Sequence, residues 1–350
     1  MHIRTMTIRF VQRLWNITHL RSAKNLLQKN HSACSVLRIP NREFSRTSIR
    51  QNASTTTVNG ADRPQYTPVK LATKSWKPEG ELAQLAAKSK CPVYLTHGLL
   101  GYKEEFDPLA QEIANRTGHV VTALDARNHG ESQHADRIDY IALADDLTHY
   151  LREQRVDEAI FVGHSMGAGG LLALTFRKPE VIKGMFLIDA AVIDVPRKQQ
   201  LSAFLRGLQM LQFDPTKTLE ENRRMAADIL KYYEVETFLI DHRVLPNIVE
   251  KDGITHWRVN IDVFVRDVMH LTRAPPEFAD FPYAYKGPLH IMVSNASGYI
   301  SPVGKATTKE IFPQVEYQHV DGAGHWIHID QPELFLKSVI AFINNVDKDS

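Results

Sequence analysis

The chain has 350 residues, 43% hydrophobic, 23% charged and 9% aromatic, a globular composition that excludes collagen-like, coiled-coil and wholly disordered classes. Lys and Arg stand at 42 against 40 Asp and Glu, but residues 1–50 hold ten Lys/Arg and one acid, Glu43, so a basic segment precedes an acidic body. Such a body has no electrostatic footprint for a phosphate backbone, which speaks against nucleic acid, and two cysteines (Cys34 and Cys91) exclude a disulfide framework or a thiolate zinc site.

No acidic residue occurs from Met1 to Arg42, while Arg4, Arg9, Arg13 and Arg21 punctuate Ile8, Phe10, Val11, Leu14, Trp15 and Ile17. An Arg-rich, acid-poor segment containing Ser and Thr has the composition of a mitochondrial transit peptide, expected over residues 1–44. The arginines break every apolar run that a secretory signal would need, and no run reaches the ~18 residues of a membrane-spanning helix. Residues 45–65, rich in Ser, Thr, Asn and Gln, read as unstructured linker.

The body alternates strand-like apolar runs with amphipathic stretches. Residues 69–76 predict an antiparallel strand at the start of a sheet. Parallel strands are expected at 92–96, 119–124, 159–162, 185–188, 289–293 and 315–320, with helices at 104–116, 140–153, 166–177 and 332–344. That alternation means βαβ units and a mainly parallel sheet with flanking helices. It breaks between residues 196 and 285, where apolar residues recur at helical spacing. The expected organisation is therefore a core at 66–195 and 286–345, interrupted by a helical cap at 196–285. Open α/β sheets bind ligands at the carboxyl ends of their strands, where a cap could cover them. Phe204, Leu208, Met210 and Leu211 are its candidate contacts to an apolar substrate.

The chemistry-bearing strings sit in the loops after those strands. His97-Gly98-Leu99-Leu100-Gly101 follows the first parallel strand, and Asp125-Ala126-Arg127-Asn128-His129-Gly130-Glu131-Ser132 the next; within the latter Asp125 and Arg127 read as a structural ion pair. Gly163-His164-Ser165-Met166-Gly167 is a G-x-S-x-G string between an apolar strand and a small-residue helix. A nucleophile on a sharp strand-to-helix turn needs such neighbours, supplied by Gly163 and Gly167. The Met166 N–H, paired with that of Leu99, would hold an oxyanion. His325, in Asp321-Gly322-Ala323-Gly324-His325-Trp326 after the last strand, is the candidate base, with His328 as a decoy.

Together, H-G-L-L-G, D-A-R-N-H-G-E-S, G-H-S-M-G-A-G, W-R-V-N at 257–260 and G-A-G-H-W-I-H at 322–328 resemble the α/β-hydrolase superfamily over residues 91–345. The chain looks most like the mitochondrial abhydrolase domain-containing protein 11 family, with bacterial esterases and yeast ethanol acetyltransferases as relatives. The resemblance implies an α/β-hydrolase fold and lipase or esterase activity on esters, thioesters or diacylglycerols in the mitochondrial matrix. It also implies association with the 2-oxoglutarate dehydrogenase complex. No metal or organic cofactor is called for. Alternatives are an alcohol acyltransferase and a non-catalytic scaffold on the same fold. Serine at position 165 argues against haloalkane dehalogenase or epoxide hydrolase chemistry, which places Asp there.

One feature departs from that pattern. Most members place the triad acid after the strand equivalent to 289–293, yet no Asp or Glu occurs between Phe281 and Lys309. Asp189, ending the strand beside the nucleophile's strand, is the favoured substitute, and the resemblance to bacterial esterases supports that position. Asp262, beside the W-R-V-N string in the insertion, is its rival.

Overall fold

The structure, a computed structural model, describes residues 67–87, 90–192, 198–274 and 285–348. The expected transit peptide and linker lie outside the described residues.

Among the described residues, seven strands form one sheet: β1 (Thr73–Trp76), β2 (Val93–Thr96), β3 (Val121–Leu124), β4 (Ala159–His164), β5 (Ile182–Ile188), β8 (Leu289–Ser294) and β9 (Glu316–Val320). Their spatial order is β1-β3-β2-β4-β5-β8-β9. All neighbours run parallel except β1, which pairs antiparallel with β3 from Thr73 opposite Leu124 to Trp76 opposite Val121. Every residue of β3 and β4 is buried, as expected of central parallel strands covered on both faces.

Beyond the short α1 (Glu81–Ala87), helices α2 (Asp107–Thr117) and α9 (Pro332–Lys348) pack together, as do α3 (Tyr140–Glu153) and α4 (Met166–Arg177). Each pair contributes to its own apolar cluster. Phe106, Ile113, Phe335 and Ile343 join one cluster, and Leu147, Leu151, Leu171 and Leu174 the other. Local signals set the ends of these helices. The Asp139 side chain accepts from the Ala142 N–H at 2.7 Å to start α3, an N-cap. Gly118, at φ 73°, ends α2 in the left-handed conformation.

After β2 the chain crosses to β3 on one side of the sheet, and after β3 it returns to β4 on the other. This reversal opens a crevice at the carboxyl ends of β2 and β4, the place where such sheets receive ligands. The segment between β5 and β8 carries α5 (Lys198–Gln209), α6 (Leu219–Tyr232) and α7 (Ile261–Asp267), with a π-helical turn at Ile240–Val244. It also holds a hairpin, β6 (Ile248–Lys251) with β7 (Ile254–Trp257), which the sequence reading did not expect. Asp252 and Gly253, both at positive φ, make its two-residue turn; an Asp-Gly pair is a strong hairpin signal. A further helix, α8 (Pro302–Ile311), was also unanticipated, although Ser301 caps it by accepting from the Gly304 N–H at 3.0 Å.

Candidate active site

Ser165 joins β4 to α4 with φ 51° and ψ −113°, a conformation that costs a non-glycine residue on the order of 1–3 kcal/mol and persists only where the surroundings enforce it. The neighbouring glycines allow the close packing that does so. A Cβ on Gly163 would lie 2.6 Å from Leu171 Cδ1, and one on Gly167 would lie 2.6 Å from the His97 carbonyl oxygen. The Ser165 N–H donates to Ile188 O at 3.1 Å, and the Gly167 N–H to His97 O at 3.1 Å. The turn is thereby tied to the ends of both adjacent strands.

His325 reaches this turn from the loop after β9. Its Nε2 accepts from Ser165 Oγ at 2.8 Å, and its Nδ1–H donates to Asp189 Oδ2 at 2.8 Å. Asp189 terminates β5 at φ 49° and is 2% exposed. Its other oxygen accepts from the Ser294 N–H at 3.1 Å. The loop that usually carries the acid thus contributes a backbone donor to an acid from the neighbouring strand. Ser294 Oγ is itself held by the Ala323 carbonyl at 2.7 Å. The structure thus brings Ser165, His325 and Asp189 into one hydrogen-bonded line. Asp262 is elsewhere: it is exposed on α7 and accepts from Gln209 Nε2 at 2.7 Å.

Gly98–Gly101 forms a turn closed by the Gly101 N–H on Gly98 O at 2.9 Å. Leu99 is its second residue and Met166 the first of α4, positions whose N–H groups neither the turn nor the helix consumes. Docking of Gly167 on His97 brings the two backbones together at the crevice.

Several neighbours of the imidazole carried no sequence signal. Tyr299 stacks on His325 with ring centroids 3.7 Å apart and planes 11° off parallel. His164 Nε2–H donates to the His325 carbonyl at 3.0 Å. Beneath them Arg243, from the insertion, pairs with buried Glu105. Burial pushes the Glu105 carboxyl up, but the Arg243 guanidinium and His328 outweigh it and hold it down at about 2. Burial lowers the His164 and His328 imidazoles, leaving both neutral. His328 lies 3.8 Å from Glu105, and it is His325 that bonds to Ser165 Oγ.

Glu105, His164 and His328 place three ligand-type atoms within 4.8 Å of one another, but a guanidinium already on Glu105 opposes a second cation. Cys91, His119 and Asp347 are similarly close, and Lys90 sits 2.9 Å from Asp347. The expected Asp125–Arg127 pair does not form. Asp125 instead binds Lys103 Nζ at 2.9 Å, and Arg127 holds Asp146 through Nε and Nη2, both at 2.6 Å. Of the expected apolar contacts, Leu208 is fully buried on a helix packed against α7. Phe204, Met210 and Leu211 are half-buried.

The family described as alpha/beta hydrolase fold matches residues 92–332. The sn-1-specific diacylglycerol lipase ABHD11 of Mus musculus is 30% identical over 251 residues, covering 72% of this chain and 80% of the relative. Esterase YbfF of Escherichia coli is 28% identical, covering 73% of this chain and 93% of the relative. A solved marine microorganism esterase superposes with a TM-score of 0.69 at 26% identity, over 78% of this chain and 99% of its own.

Proposed function

The chain belongs to the α/β-hydrolase fold family and is an ester hydrolase; from that premise we propose that it works through an acyl-enzyme on Ser165, with His325 as base and Asp189 as the acid that orients it. The observation that carries this reading is the continuous line from Ser165 Oγ through the imidazole to Asp189, each step 2.8 Å.

Ser165 Oγ attacks the ester or thioester carbonyl carbon while His325 Nε2 takes the hydroxyl proton. The oxyanion falls to the N–H groups of Leu99 and Met166. Collapse expels the alkoxide or thiolate, which takes the proton from Nε2 and departs, while the acyl group stays bound to Oγ. Water enters, gives a proton to Nε2 and its oxygen to the acyl carbon, and the carboxylic acid departs as Oγ is reprotonated. Throughout, Asp189 keeps Nδ1 protonated and offsets the charge on the imidazolium.

A fluorophosphonate probe should label the wild-type protein at Ser165, and a panel of esters, thioesters and acylglycerols should give free acids. An unlabelled, inactive wild type would leave the fold as a scaffold. Acyl transfer to added ethanol in preference to water would reassign the second half-reaction to an acyltransferase. Diacylglycerol is the proposed substrate class to try first, on the strength of the mouse relative's description.

For location, we propose import into mitochondria by residues 1–44, supported by their Arg-rich, acid-poor composition. No helix among the described residues is long and apolar enough to cross a membrane. Deleting 1–44 should leave an active enzyme spread through the cytosol, as read by microscopy of full-length and shortened fusions. A shortened form still found in mitochondria would refute the address.

A further inference from the structure

We propose that His129 and Asn247 are positioning residues that fix the Leu99 N–H for oxyanion binding, so that the insertion between β5 and β8 governs the chemical step and not only access to it. The inference deepens the acyl-enzyme reading and rests on it.

Leu100, third in the turn closed by Gly101 and Gly98, has φ 60° and is 3% exposed. Positive φ at this place suits glycine or asparagine and is disfavoured for a leucine. The conformation matters because it orients the Leu99–Leu100 segment against α4, and something must hold it.

Both polar groups of the Leu100 backbone are held by side chains. Its N–H donates to His129 Nε2 at 3.2 Å, and its carbonyl accepts from Asn247 Nδ2 at 2.8 Å. Both side chains are themselves fully buried. His129 Nδ1–H donates to the Arg127 carbonyl at 2.9 Å, which fixes the tautomer and leaves Nε2 as the acceptor. Burial keeps this imidazole neutral, so the acceptor is not lost to protonation. Its ring packs against Phe264 and His97, with centroids 4.7 and 4.9 Å away. Asn247 Nδ2 also donates to the Arg243 carbonyl at 2.8 Å, and the Asn247 backbone carbonyl accepts from the Arg258 N–H at 2.7 Å.

Both anchors lead into the insertion. Asn247 belongs to it outright. His129 follows Asn128, whose carbonyl accepts from the Asn260 N–H at 3.0 Å and whose Oδ1 accepts from Asn260 Nδ2 at 3.3 Å. The D-A-R-N-H-G-E-S and W-R-V-N strings, far apart in the chain, are thus hydrogen-bonded to each other and, through Leu100, to the H-G-L-L-G turn. A displaced insertion would move an oxyanion donor. Loss of one such donor costs ~10²–10³ in turnover, and misplacing it is expected to cost roughly 10–100-fold.

The test uses the full chain with Asn247→Ala, His129→Phe (which keeps ring packing but offers no acceptor) and His129→Gln (which restores one). Rates on a p-nitrophenyl ester are normalised to active sites counted by exhaustive fluorophosphonate labelling, so unfolded protein does not register. We expect kcat per site to fall roughly 10–100-fold in Asn247→Ala and His129→Phe with KM little changed, and affinity for a trifluoromethyl ketone to fall by a similar factor. His129→Gln should recover most of both. Variants with normal kcat per site and normal analogue affinity overturn the proposal while the acyl-enzyme reading stands. Losses of kcat and analogue affinity that His129→Gln does not recover overturn the role of His129 as an acceptor. A wild type with neither labelling nor hydrolysis takes the reading down as well, and the proposal with it.

Discussion

Ser165→Ala is expected to lower kcat by ~10⁶ and abolish fluorophosphonate labelling while leaving the fold intact. The substitution removes one oxygen and keeps Cβ, so the packing that forces φ to 51° between Gly163 and Gly167 is undisturbed. Ser165 Oγ bonds to His325 Nε2, and that imidazole remains anchored by Asp189 and by Tyr299 across its face. Nothing else in the line can take the acyl group. His164, the nearest other imidazole, is buried and spends its Nε2–H on the His325 carbonyl. Circular dichroism and thermal unfolding should match the wild type. Persistent labelling would place the nucleophile elsewhere.

Much of this site was legible because its determinants are consecutive residues. The G-x-S-x-G string announces a tight turn through its glycines, and the strand before it and small-residue helix after it are equally local. The weak alternation at 69–76 gives an antiparallel strand at the start of the sheet, but not its partner, β3. What escaped the sequence depends on residues far apart in the chain meeting in space. Asn247 has no motif around it, and it becomes meaningful only when the insertion folds over the Leu100 carbonyl. His129 lay in a recognised string, but its task is defined by Leu100, 29 positions earlier. The Asp125–Arg127 expectation failed for a similar reason. Both residues lie in the loop beyond β3, where the period-2 alternation that would put them on one face no longer holds, and each found a partner from another element. The hairpin in the insertion was announced by Asp252-Gly253 and lost in a segment read only for helical spacing.

Asp189→Asn is expected to cost ~10⁴ in kcat, less than loss of the serine, whereas Asp262→Asn should turn over at a near-normal rate. The surroundings of Asp189 say how an asparagine would sit there. One carboxylate oxygen accepts from the Ser294 N–H and the other from His325 Nδ1–H. The backbone donor cannot reverse its role, so the amide oxygen turns to Ser294 and the amide nitrogen to the imidazole. Facing a donor, Nδ1 must become the lone-pair nitrogen, which moves the proton to Nε2. The base then confronts Ser165 with its hydrogen in the way, and no carboxylate offsets the imidazolium when it forms. KM should change little, since Asp189 is buried behind the imidazole. Asp262, exposed and bonded to Gln209, touches none of these groups. Rates per labelled site, with circular dichroism to verify folding, decide between the two acids. An inactive but folded Asp262→Asn beside a fully active Asp189→Asn would assign the acid to the insertion and overturn the one from β5.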